Sequence, residues 1–263
     1  MRVPIHIAVL LLLTVWVADA ARAQLAERTS TTDIPVRVER KLRRDAARLT
    51  LRLQSEREDL RYQSIVIPRD AMDQIYGVLV SIYGQNAAAR SVANCNVHTF
   101  PDPSIDHFVV IYDKTVAWAA PLREGISETT SPEINDLLDE FDLVIEKHVQ
   151  WDDTHDALTI RSRQPLNMAA LAHQFTNIEG VTETDLGQPR LRGNDIQMRR
   201  TASGWTLTYI LRFGAPIGDG KQHRWIFECD DEGASKFLRE EGDDVPSYLR
   251  CSVEGRAGFA LRG

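Results

Sequence analysis

The densest group of chemically capable side chains in the sequence is Trp151-Asp152-Asp153-Thr154-His155-Asp156. Carboxylates beside a histidine can pass a proton or hold a cation. A calcium loop needs a glycine at its sixth position, and Ala157 stands there when the loop is counted from Asp152. Asp also closes turns by hydrogen bonding to its own backbone two residues on. The turn reading is the better one, and a hydrolase of unfamiliar type using Asp152, Asp153 and His155 is its rival. A second group is Cys95-Asn96-Val97-His98, with His107 further on. One thiol and two imidazoles at irregular spacing do not make a zinc pattern, so they are read as a buried thiol and surface histidines. Gly218-Asp219-Gly220 lacks the Gly-Lys-Ser/Thr ending of a phosphate loop. Gly-x-Ser-x-Gly, His-Glu-x-x-His and the dinucleotide glycine pattern do not occur. No catalytic, cofactor-binding or metal-ligating residue is assigned from the sequence, and no cofactor is implied.

The acidic turn belongs to a regular unit. Ile134, Leu137, Leu138 and Phe141 fall at i, i+3, i+4 and i+7, one face of a helix. Ser131-Pro132 suits its N-cap and first position, where a missing N–H costs nothing. Met168, Leu171, Ala172, Phe175 and Ile178 form the stripe of a second helix, with Gly180 as its stop. Between the helices, Leu143, Ile145, Val149 and Trp151 alternate with Val144, Glu146, His148 and Gln150. Leu158 and Ile160 alternate with Thr159 and Arg161. Two strands joined by Asp152–Asp156 are predicted. A strand from His107 to Ala120, turning at Asp113-Lys114, precedes the first helix, and Val181 onward supplies a last one. The order β-α-β-β-α-β is the split motif of ferredoxin-like domains.

The run Ala157-Leu158-Thr159-Ile160-Arg161, then Leu166, Ala169, Leu171 and Phe175, then Gly180-Val181-Thr182-Glu183, resembles the propeptides of subtilisin-type proteases. The resemblance implies a ferredoxin-like fold and a part in folding or blocking a protease. Such modules act through a C-terminal tail. This unit instead continues into a further region, and no subtilisin-type catalytic motif follows it.

Upstream, Val38, Leu42, Ala46, Leu49 and Leu53 make a helical stripe from Val36 to about Glu58. Its other faces carry many arginines, read as a solvated basic face. Ile65-Val66-Ile67 is a candidate short strand before Pro68. Met72, Ile75, Leu79 and Ile82 line the next helix, closed by Gly84. Downstream, Trp205, Leu207, Tyr209, Leu211 and Phe213 alternate without a break. Ile196 and Met198 start their partner, and Trp225, Phe227 and Cys229 a third strand. Ala234–Leu238 follows, then an acidic loop at Glu240, Glu241, Asp243 and Asp244. The fold class is α+β, with four regions: 1–23 leader, 24–105 N-terminal helical region, 106–190 ferredoxin-like unit, and 191–263 antiparallel β-rich region with a mobile tail.

Arg2, the apolar run from Ile5 to Val17 and Ala21-Arg22-Ala23 have the form of a secretory signal, cut before Gln24. The run is shorter than the roughly 20 apolar residues of a membrane span, and no later segment is apolar enough. Export, to the periplasm or beyond, is the expectation. The whole chain carries a net charge of −7, which argues against general nucleic-acid binding. Of the three cysteines, Cys229 and Cys251 are expected to pair, leaving Cys95 free. With no catalytic set, an exported non-catalytic binding or protein-interaction module is the leading expectation, with another exported protein as its candidate partner. A subtilisin-propeptide-like protease inhibitor is a sharper version of that expectation.

Overall fold

A computed structural model describes residues 34–57, 62–187, 193–214 and 220–249. The leader, Gln24 and the tail from Cys251 lie outside these residues. The chain is α+β and forms two compact units. One gathers Arg43–Met72 and Thr99–Arg192; the other gathers Asp73–His98, the chain up to Leu42 and the chain from Gly193 on. Helices Val36–Ser55 (α1) and Arg69–Gln85 (α2) each contribute to both units.

In the first unit, strands His107–Asp113 (β1), Leu143–Gln150 (β2), His155–Ser162 (β3) and Val181–Asp185 (β4) make one sheet. Its order is β2-β3-β1-β4, antiparallel throughout. Helix Ala120–Arg123 precedes Pro132–Glu140, and Met168–Phe175 joins β3 to β4. Numbered in chain order after Ala87–Asn94 (α3), these are α4, α5 and α6. Phe108, Val110 and Tyr112 of β1 share one face by the two-residue period of a strand. They are buried with Leu158 and Ile160 of β3, Ile134 of α5 and Met168, Leu171 and Phe175 of α6. Phe175 sits edge-on to Phe108, ring centroids 5.1 Å apart, and Phe141 packs partly buried against the same cluster.

Local chemistry sets the ends of the helices. The Ser131 hydroxyl accepts the Ile134 N–H at 3.3 Å and Asn167 Oδ1 accepts that of Ala170 at 3.3 Å, each filling an orphan donor of the first turn. α6 stops at Phe175 with Thr176 as its cap, before the expected Gly180. Gly180 has φ +81°, and a Cβ there would run into the Val116 side chain. Its place is the entry to β4, where only glycine meets both demands.

Three expectations are corrected. Val116–Ala119 does not continue a strand. Ala117–Ala119 is a 3-10 turn leading into α4, which Pro121 starts well because proline fits a first helical turn. Ile65–Ile67 is not a strand: the Ile65 carbonyl instead accepts the Asn167 N–H at 2.8 Å, ahead of α6. The basic face of α1 is not simply solvated. Arg44 pairs with Asp106 at 2.6 Å, and Arg52 donates to the carbonyls of Asp102 and Phe100, both at 2.9 Å. On the same helix the buried Asp45 accepts both the N–H and the hydroxyl of Thr99, at 2.8 and 2.7 Å. These side chains fasten the segment from Thr99 to Asp106 along the helix.

In the second unit, strands Asp195–Thr201 (β5), Gly204–Phe213 (β6), Lys221–Asp230 (β7) and Ser235–Gly242 (β8) form an antiparallel meander in sequence order. Leu207, Tyr209, Phe227 and Cys229 are buried on one face. Ion pairs such as Lys236–Glu228 at 2.8 Å belong to the other. The end of α2 is tied to the sheet: Gln85 bonds the Ser235 N–H and the Gly233 carbonyl, both at 2.8 Å. The acidic run begins within β8 rather than in a loop, and Glu241 pairs with Arg239 at 3.2 Å.

Cys229 is a free thiol in the interior, which corrects the expected pairing with Cys251 at this position. Its strand neighbours across the sheet are Trp205 and Ser235, and its sulfur faces the carbonyl of Asp230 at 3.6 Å. Among the described residues the free cysteine is thus Cys229 and not Cys95. No helix among the described residues is long and apolar enough to cross a membrane.

Candidate functional site

The acidic turn lies at the tip of the β2–β3 hairpin, and its chemistry is turned inward on its own backbone. Asp152 Oδ1 accepts the N–H groups of Thr154 and His155, both at 2.7 Å, and the Thr154 hydroxyl at 3.0 Å. His155 Nδ1 lies 3.1 Å from both carboxylate oxygens. The Thr154 N–H bond above all, with the bonds from His155, holds the Asp152 carboxyl well below the usual carboxylate range. Such a carboxylate is a poor proton acceptor at neutral pH. The same device recurs one strand away, where Asp113 Oδ1 accepts the N–H and hydroxyl of Thr115, both at 2.7 Å. Lys114 clips the two turns together, donating its N–H to the Thr154 carbonyl at 3.0 Å and its ammonium to the Asp152 carbonyl at 2.5 Å. An Asp-x-Thr spacing explains both turns, because the side chain reaches the donors two residues on.

Trp151 differs from its expected place. Alternation with Leu143 and Ile145 puts it on the inner face of β2, yet it is 55% exposed. The cause is a bulge. Ile145 pairs with Ile160, but Lys147 pairs with Thr159, so one extra residue enters β2 at Glu146. A one-residue insertion exchanges the faces of everything after it. Trp151 is thereby put in solvent beside a locked turn, and His148 is carried inward.

That exchange assembles a group of side chains that alternation along β2 conceals. Tyr112 and Asp156 are direct cross-strand neighbours on β1 and β3, fully buried and 4% exposed respectively. His148 Nε2 comes within 3.4 Å of Asp156 Oδ2. The His148 ring stacks on Tyr112 at 6.3 Å, and Trp118 covers Tyr112 from another side at 4.6 Å. Burial, and then the Asp156 charge, push the Tyr112 hydroxyl well above its ordinary range, so it stands as a neutral phenol. The sequence signal was present only in part: Tyr112 follows the Phe108-Val110 period, but nothing in β2 announces the bulge.

The other candidates stay apart from these. His107 bonds Asp106 at 2.9 Å, and Cys95 caps the C-terminus of α3. Gly218 and Asp219 lie outside the described residues. Among the described residues, no three or more His, Cys, Asp or Glu side chains are grouped so as to hold a metal ion. Set against known proteins, the chain matches no family model, no curated protein and no solved structure.

Proposed function

We propose that the chain is an exported, non-catalytic interaction module, and that residues 107–187 form a ferredoxin-like unit that presents the β2–β3 tip to a protein partner. The observation that carries this reading is Trp151, a large aromatic side chain held in solvent beside a turn that is already hydrogen-bonded. Preordered aromatic groups lose little entropy on binding and are over-represented among residues that dominate interface energies. The strand order β2-β3-β1-β4 with both connecting helices packed into one core supports the ferredoxin-like reading. The self-contained bonding of Asp152 and His155 supports a structural role for the turn over a hydrolytic one.

The sharper form of the proposal is a subtilisin-propeptide-like inhibitor. Purified protein is titrated against a subtilisin-type protease, beside Trp151→Ala. Micromolar inhibition that weakens in the variant supports the inhibitor. No inhibition by intact protein removes that form. The broader form is tested by retention of components of the exported fraction on both proteins. A component held by the natural chain and lost by Trp151→Ala supports the tip as the contact, whereas equal retention on both overturns it.

A further inference from the structure

The chain has three cysteines, Cys95, Cys229 and Cys251, and their settings differ. Cys229 is a free thiol sealed in the second sheet, 1% exposed. Burial above all keeps that thiol protonated at neutral pH. Disulfides form by attack of a thiolate, so Cys229 is a poor partner in both access and ionisation. Cys95 stands half-buried at the C-cap of α3, between the exposed Asn94 and Asn96. It is not free: it is disulfide-bonded.

A disulfide within the chain needs a second cysteine, and with Cys229 free only Cys251 is left. The fold favours the same choice. α3 and the chain from Gly193 on belong to one compact unit. Asn86, the N-cap of α3, donates to the Ser235 hydroxyl at 2.9 Å, so the helix starts against the first residue of β8. After β8 the described residues end with the 3-10 turn Ser247–Leu249. Cys251 follows two residues later, within about 7 Å of Leu249 along the chain.

We propose that Cys95 and Cys251 form a disulfide that fastens the C-terminal segment to the end of α3. Two thiols give up two protons and two electrons. A disulfide oxidant takes them up and leaves as two thiols, so one S–S bond forms and one breaks. All eight strands lie between the two cysteines, so the closed loop runs through both sheets. Closing a long loop removes much freedom from the unfolded chain, and the bridge therefore stabilises the fold. Such bridges persist in oxidising compartments, which suits an exported chain. The bridge does not depend on Trp151 or on any partner at the hairpin tip.

A peptide map tests the bridge, because trypsin puts the three cysteines in separate peptides, 91–114, 225–236 and 251–256. The purified chain is equilibrated with reduced and oxidised glutathione, alkylated in denaturant without further reduction, and digested. Peptides 91–114 and 251–256 are expected to be joined and 225–236 alkylated, in a chain that runs as a monomer without reductant. In Cys251→Ser, peptide 91–114 should no longer be joined to another, and in Cys229→Ser the bridge should remain. Reduction should lower the melting midpoint of the natural chain and leave that of Cys251→Ser in place. Should a variant fail to fold, the map of the natural chain decides by itself. Peptide 225–236 joined to either of the others, peptide 91–114 alkylated or carrying glutathione, or a bridge found only in a dimer overturns the proposal.

Discussion

The two sheets have four strands each, and they reach their order by different means. In the second, β5 to β8 follow one another, so every pair is a hairpin between neighbours in sequence. In the first, β1 lies between β3 and β4, and two helical connections are needed to put it there. A meander needs only alternation and turns. A crossed order also needs helices whose apolar stripes close over the sheet. Phe175 of α6 and Phe227 of β7 are the corresponding centres, both fully buried. Phe175 touches Phe108 of β1, the strand that the crossing places in the middle. Phe227 touches Tyr209 and Phe237 of its two hairpin neighbours.

The largest effects should come from these centres. Phe175→Ala and Phe227→Ala should each cost roughly 3–5 kcal/mol, read by denaturant unfolding. The comparison sharpens at Phe237, which is 39% exposed on the edge strand β8. Phe237→Ala should cost well under half as much, because much of its surface is already wet. Equal losses at Phe227 and Phe237 would mean that the edge of the meander is more deeply covered than described.

Next come the fastenings made by side chains. Asp45→Ala strips the Thr99 N–H and hydroxyl of their shared acceptor. A loss of about 1–3 kcal/mol is expected, the cost of a buried donor left unsatisfied. Thermal melting and amide exchange at Thr99 check it, and an unchanged exchange rate would show that water replaces the carboxylate. Gly204, opening β6 at φ +155°, has no room for a Cβ beside the Cys229 carbonyl. Gly204→Ala should therefore destabilise the second unit by about 1 kcal/mol or more. The free thiol in the same strand offers a chemical readout. Burial first, then Asp230 and Asp231, pushes the Cys229 thiol up to about 12. It should ignore thiol reagents at neutral pH in the folded chain and react in denaturant.

What the sequence disclosed follows the same division. Strand β6 was legible because its alternation is uninterrupted from Trp205 to Phe213. Helices α5 and α6 were legible from their stripes, and α5 also from its Ser131 cap. The four strands of the first sheet could each be placed along the chain, since each has its own period. The bulge at Glu146 could not, because an extra residue in β2 is seen only against β3. That one residue misplaced Trp151 and hid the approach of His148 to Asp156. The fastening arginines of α1 were hidden for a similar reason. Their partners, the Phe100 and Asp102 carbonyls and Asp106, lie in a segment with no period of its own.

The smallest effect is expected at the turn itself. Asp152 is ionised and capped in the folded chain, with its carboxyl held below the ordinary range chiefly by the Thr154 N–H. An unfolded aspartate titrates near 4. A depressed folded value means that the cap contributes fully above that pH and is lost as pH falls through the unfolded value toward the folded one. Asp152→Asn keeps an oxygen acceptor for the same N–H groups but cannot titrate. The variant should therefore resemble the natural chain at neutral pH and show a shallower loss of stability between about pH 4 and pH 2. Unfolding curves collected across that range measure the difference. If Asp152→Asn instead loses stability at neutral pH and keeps the full acid slope, the titrating group is another carboxylate. The ionised form of Asp152 would then matter to the tip for its charge toward Lys114 and His155 rather than for its cap.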